Sequence, residues 1–206
     1  MKRRRIWGFV QVIFAMLLVM VMGCSQKKVV SRIDPSATVD LSGRWNDTDS
    51  RLVAEEMVAD CLSHVWITDH MADKMGKKPS IIVGAVKNLT TEHISVTTFL
   101  NDIEGAIINS GKVRLVASAK ERESIREERL DQWENASPET VKKLGVELGA
   151  DYMLSGSVNS IMDEEDGEKI AFYQTDLTLL RIETNEKVWM GQKKIKKYIA
   201  RKQYKP

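Results

Sequence analysis

The chain opens on an apolar stretch from Ile6 to Met22, interrupted only by Gly8 and Gln11. From Ser25 to about Asn46 there is no helical or strand periodicity, and Pro35, Gly43 and scattered polar residues mark a tether. Then the pattern changes. Asp47-Thr48-Asp49-Ser50 offers helix caps, and Val53, Met57, Cys61 and Val65 recur at helical spacing with Ala54, Val58 and Leu62 beside them. A short helix from Trp66 to Met75 ends at Gly76. Ser80 to Val86 is a continuous apolar run, as in a strand covered on both faces. Val96, Phe99, Leu100, Ile103 and Ile107 mark a helix stopped by Gly111, and Val113 to Val116 a second strand. Ser118 and Glu121 form a capping box for a helix running to about Trp133. Ser137-Pro138 opens another, with Val141, Leu144 and Leu148 on one face and Gly149 closing it.

Three long strands follow, Tyr152–Ile161, Lys169–Ile182 and Lys187–Ile199, with Asp166-Gly167 and Asn185-Glu186 at the turns. A β-α-β beginning and an antiparallel ending predict an α/β (α+β) fold. It is a single small domain with a mixed sheet that ends in a three-strand meander, and helices pack on it. The division is a signal segment over 1–23, a tether over 24–46 and a globular domain over 47–206. No internal repeat and no second core is visible, as befits a chain of 206 residues.

Charge changes the reading of the first stretch. Lys2, Arg3, Arg4 and Arg5 precede the apolar run, the arrangement that secretion requires. The run meets Val21-Met22-Gly23-Cys24, which resembles the lipobox of bacterial lipoproteins, whose cysteine sulfur receives diacylglycerol. The competing reading is an uncleaved membrane helix, since the run nearly reaches the ~20 residues needed to span. The cysteine at the right distance, followed at once by Ser25-Gln26-Lys27-Lys28, favours cleavage and lipid attachment at Cys24. In bacteria with two membranes, serine after the cysteine implies the outer one by the same resemblance.

Composition then narrows the chemistry. With 43% hydrophobic and 29% charged residues the chain is globular, and its net charge of +2 argues against nucleic-acid binding, which needs a concentrated basic face. With Cys24 lipidated, Cys61 has no disulfide partner and reads as a small buried hydrophobe. His64 and His70, six apart, do not share a helix face, so no metal site is expected from them or His93; exposed or capping histidines are the default. Ser155-Gly156-Ser157 lies mid-strand without nucleophile-elbow spacing. Asp163-Glu164-Glu165-Asp166 reads as a solvated hairpin tip, not a calcium loop. No catalytic residue, metal or cofactor is expected, which favours a binding module.

Two features stand out on a simple packing view. The helix from Ala119 to Trp133 is nearly all charge, with Ile125, Leu130 and Trp133 its only sizeable apolar groups. It reads either as a solvated helix laced by i,i+4 pairs or as a partner-facing element, through Arg122, Arg126, Arg129 and Trp133, residue types enriched at interface hot spots. Arg44-Trp45 at the tether's end is a second candidate, as an exposed anchor or a group packed on the first helix. The last strand carries Lys193, Lys194, Lys196 and Lys197, then Arg201, Lys202 and Lys205. This reads as an edge strand protected against sheet-to-sheet pairing, or as a surface for anionic lipid or cell-wall polymer.

Several segments stand together in family order: Ser31-Arg32-Ile33-Asp34-Pro35, the run from Asp40 to Ser50, Val83-Gly84-Ala85-Val86-Lys87-Asn88, Asn109-Ser110-Gly111-Lys112-Val113-Arg114, Leu148-Gly149-Ala150-Asp151-Tyr152-Met153 and Glu183-Thr184-Asn185-Glu186-Lys187-Val188-Trp189. The chain resembles the penicillin-binding protein activators of the LpoB type, over residues 1 to about 200. The resemblance implies an outer-membrane lipoprotein, facing the periplasm, that binds and stimulates a bifunctional penicillin-binding protein (a peptidoglycan synthase) without catalysis of its own, and most simply as a monomer. The best-known members have a longer, proline-rich tether. The rival class is an assembly lipoprotein of a curli-type secretion channel, which needs transmembrane hairpins that are not evident here.

Overall fold

The computed structural model describes residues 29–137, 139–140 and 147–200. The segment 1–23, Cys24 and Ser25 lie outside the described residues. So do Pro138, Val141 and Leu144 of the helix expected after Ser137, and Arg201, Lys202 and Lys205. The chain divides into two compact units, Met1–Ala37 and Thr38–Pro206. Within the described part of the first, Asp34 closes a turn by accepting from the Ser36 amide at 2.8 Å and the Ser36 hydroxyl at 2.7 Å.

The second unit holds helices α1 (Asp47–Cys61), α2 (Trp66–Asp73), α3 (Val96–Ser110) and α4 (Ala119–Asn135). Its strands are β1 (Ser80–Asn88), β2 (Arg114–Val116), β3 (Tyr152–Glu165), β4 (Glu168–Arg181) and β5 (Lys187–Ala200). The five strands form one sheet in the order β2-β1-β3-β4-β5. β1 is parallel to both β2 and β3, and β3, β4 and β5 are antiparallel, so the expected mixed sheet ending in a meander is present. Asp166 and Gly167 close the β3–β4 hairpin with φ of 50° and 83°, a turn for which Asp-Gly is well suited.

Helix α1 is capped by Asn46 rather than by the run after it. The Asn46 side chain accepts from the Asp49 amide, and Asp49 accepts in return from the Asn46 amide. Val53, Ala54, Met57, Val58 and Cys61 are buried along one face. Val65, expected to continue that face, is 71% exposed, because the helix stops at Cys61 and the chain turns into α2. Phe99, Ile103 and Ile107 bury the facing stripe of α3. Each such side chain contributes roughly 1.5–3 kcal/mol on burial. α1 and α3 pack on each other, α1 against β5 and α3 against β1 and β2. They meet Ile81, Val83, Tyr152, Leu154, Val158, Leu177, Leu179 and Trp189 of the sheet.

Among the described residues, the opposite face of the sheet is half-buried to exposed. β4 alternates Ala171, Tyr173, Thr175, Leu177 and Leu179, all buried, with half-buried residues between. β1, expected to be covered on both faces, buries Ile81, Val83 and Val86 but leaves Ile82 half-buried and Ala85 exposed. An apolar run proves compatible with a one-sided sheet wherever the second face carries small or medium residues.

The unit also takes in Thr38–Asn46, which the residue pattern assigns to the tether. Trp45 packs edge-on against Phe99 (6.1 Å between centroids) and Tyr173 (5.6 Å), and its indole NH donates to Ser50 at 2.8 Å. Lys197, an inward-facing lysine on β5, donates to Asp40 at 2.7 Å, Asp49 at 2.6 Å and the Arg44 carbonyl at 3.1 Å. A lysine turned inward is costly unless paired, and this one is satisfied three times over.

Candidate partner-docking surface

α4 buries none of its residues. Its start is held by the expected capping box: the Ser118 amide donates to Glu121 Oε2 at 2.7 Å, and the Glu121 amide to Ser118 Oγ at 3.4 Å. Hydrogen bonding from the Ser118 side chain first, then from its amide, holds the Glu121 carboxyl below the usual range. Arg122, Arg126 and Arg129 sit at i, i+4 and i+7, one face of the helix, and converge on a single carboxylate. Glu147 takes a bidentate pair from Arg126, Nε to Oε1 and an Nη to Oε2, both 2.8 Å, with Arg122 Nε at 3.9 Å and Arg129 at 3.8 Å. Hydrogen bonding from Arg126 first, then the charge of all three guanidinium groups, holds the Glu147 carboxyl low. The fork geometry fixes direction as well as charge.

Beside this clasp the apolar residues of α4 stay outside. Ile125 is 42%, Leu130 55% and Trp133 63% exposed. Trp133 is the exception among the tryptophans described. Trp45, Trp66 and Trp189 pack into the core, and each indole NH is bonded, to Ser50, the Cys61 carbonyl and Asp60 respectively. The clasp borders a shallow cleft of about 240 Å³, lined by Leu115, Val116, Ile125 and Leu148 together with Arg129 and Glu147.

The other candidate pair separates. Arg44 is exposed, while Trp45 is half-buried among Phe99 and Tyr173. The structure therefore gathers Arg122, Arg126 and Arg129, leaves Trp133 outward beside them on the same helix, and uses Trp45 to seat the start of the unit. Glu147, the hub of the clasp, was not singled out from the residue pattern. Three arginines on one helix face, which repel without a counter-ion, were the available signal.

His70 is a correction. Expected to be exposed or capping, it is 4% exposed, with Nδ1 3.1 Å from the Tyr152 hydroxyl and Nε2 3.9 Å from Asp151, which in turn accepts from the Ser80 amide and hydroxyl. Burial pushes its pKa below the ordinary value, against the pull of Asp151. Cys61 is buried, and its thiol is pushed up to about 12, by burial first and the Asp60 charge second, so it stays protonated. Among the described residues no cluster of three or more His, Cys, Asp or Glu side chains is arranged to hold a metal ion, and no helix is long and apolar enough to cross a membrane.

Comparison with known proteins adds a family. Residues 49–195 match the family model described as peptidoglycan-synthase activator LpoB. Among solved structures, the chain is similar to the LpoB C-terminal domain of Salmonella enterica (20% identity, 71% of this chain and 98% of that one, TM-score 0.41). It is also similar to the corresponding domain of Escherichia coli (19%, 71% and 98%, 0.43) and to lipoprotein GNA1162 of Neisseria meningitidis (14%, 58% and 83%, 0.38). No curated protein matches.

Proposed function

Because this chain belongs to the LpoB family of peptidoglycan-synthase activators, we propose that it is a non-catalytic lipoprotein that binds and stimulates a bifunctional penicillin-binding protein. In this reading Cys24 carries the lipid, the outer membrane is the anchorage, and the folded unit faces the periplasm as a monomer. The acyl chains contribute ~0.8 kcal/mol per buried methylene, enough for two or three chains to hold the protein firmly. Stimulation is then allosteric: docking shifts the synthase toward its active arrangement by no more than the difference in affinity for its two states.

The observation that supports α4 as the docking element is Trp133. A large aromatic side chain 63% exposed, beside arginines held in fixed geometry, has the composition of an interface hot spot. The test is direct binding of the lipid-free chain to the bifunctional synthase of the same organism. Trp133→Ala is expected to weaken binding by at least tenfold, about 1.4 kcal/mol, with the melting temperature unchanged. Unchanged affinity would remove α4 from the interface. For the anchor, Cys24→Ala is expected to abolish incorporation of radioactive fatty acid, and continued labelling would refute attachment there.

A further inference from the structure

The sheet ends in two unlike edges. β2 is three residues long, a short edge that offers little to pair with, whereas β5 runs for fourteen. Among the described residues, no backbone hydrogen bond outside the β4–β5 ladder reaches the outer side of β5. Lysines commonly protect such an edge, but here they divide. Lys193 and Lys197 face the helices and are taken up by Glu56 and by Asp40 with Asp49. Lys194 and Lys196 face the open side, exposed, where Met190 and Tyr198 flank them at 71% and 62% exposure. Along the helix side of the same edge runs a groove of about 640 Å³ between α1 and β5, with Leu52, Val53 and Ile195 in its lining.

From this geometry we propose that the outer edge of β5 accepts an extended segment of a partner protein as a sixth strand. That segment carries carboxylates at the positions above Lys194 and Lys196 and aliphatic side chains at the alternate positions, over the groove. Strand addition draws affinity from main-chain hydrogen bonds and specificity from alternate side chains, and the two faces of β5 supply both. A second copy of this chain is the wrong occupant, because antiparallel pairing of β5 with itself sets lysine against lysine, and like charges directly opposite are destabilising. The inference goes beyond the activator reading and stands on β5 alone, whichever partner supplies the strand.

The probe is a synthetic peptide of about eight residues, a normal strand length, alternating glutamate with valine, titrated into the isotope-labelled, lipid-free chain. The expected result is movement of the amide signals of β5 and slowed hydrogen exchange along its outer side. A matching lysine–valine peptide should give neither. Reversing Lys194→Glu and Lys196→Glu, both on the exposed face, should leave the fold intact and weaken the acidic peptide about tenfold at low salt. Absence of β5 shifts, equal shifts with the basic peptide, or unchanged affinity in the reversed variant would overturn the proposal.

Discussion

Lys197 holds together three stretches of chain that are far apart in sequence. Its ammonium group joins β5, the cap of α1 at Asp49 and the entering segment at Asp40 and Arg44, with only 11% of the side chain exposed. Burial alone would lower its pKa; the bonds it donates to Asp40 and Asp49 outweigh that and hold it above the ordinary value. Lys197→Met leaves two carboxylates facing each other and is expected to cost about 3 kcal/mol in a denaturant titration. A loss under 1 kcal/mol would mean that solvent already satisfies the carboxylates. His70 gives a second test at this scale, because its depressed pKa makes the folded state prefer the neutral ring. Its contribution is therefore complete above the ordinary value of 6.5 and is lost as pH falls from there toward the lower folded value. Asp73 at the end of α2 and Lys74 just past it, Asp151 just before β3 and Tyr152 on it, and Arg181 on β4 all face it. Thermal melts between pH 7.5 and 5 should show this decline in the natural chain and a shallower one in His70→Asn; parallel curves would contradict it.

Among the elements, α4 is the one fastened by its ends and one carboxylate instead of by a buried stripe. Glu147→Gln is expected to raise hydrogen exchange along α4 while changing global stability by less than about 1 kcal/mol, since the ion pairs are largely exposed. Unchanged exchange would show that the clasp does not order the helix. The sheet offers the opposite case. A Cβ on Gly156 of β3 would run into the Asp176 carbonyl oxygen and lie 2.7 Å from Leu177 Cδ2, so Gly156→Ala is expected to cost about 3 kcal/mol in a denaturant titration. The strands and most helices were legible because periodicity and turn chemistry agree there: Phe99, Ile103 and Ile107 on α3, Asp166-Gly167 at the hairpin, Ser118 with Glu121 on α4. What stayed hidden depends on residues brought together by the fold. Nothing local announces that Glu147 will meet Arg126, that Lys197 will find Asp49, or that His70 will lie against Tyr152. Trp45 was ambiguous for the same reason, since its neighbours Phe99 and Tyr173 are supplied by α3 and β4.

On the scale of the whole molecule, Trp45 and Lys197 draw Thr38–Asn46 into the folded unit, which in the proposed reading leaves a shorter tether. If the folded unit begins at Thr38, the chain between Cys24 and that point spans about 45 Å at full extension, against the ~70 Å of a tether running to Asn46. The activator reading therefore requires that the synthase present its docking face close to the lipid anchor. Affinity in free solution and action from the membrane need not agree, and the first is the cleaner quantity. The decisive measurement is the rate of glycan polymerisation by the purified bifunctional synthase of the same organism, with and without the lipid-free chain. The account predicts a saturable rise in rate that is diminished by Trp133→Ala. A synthase that neither binds the chain nor changes rate at any concentration of it would contradict the account.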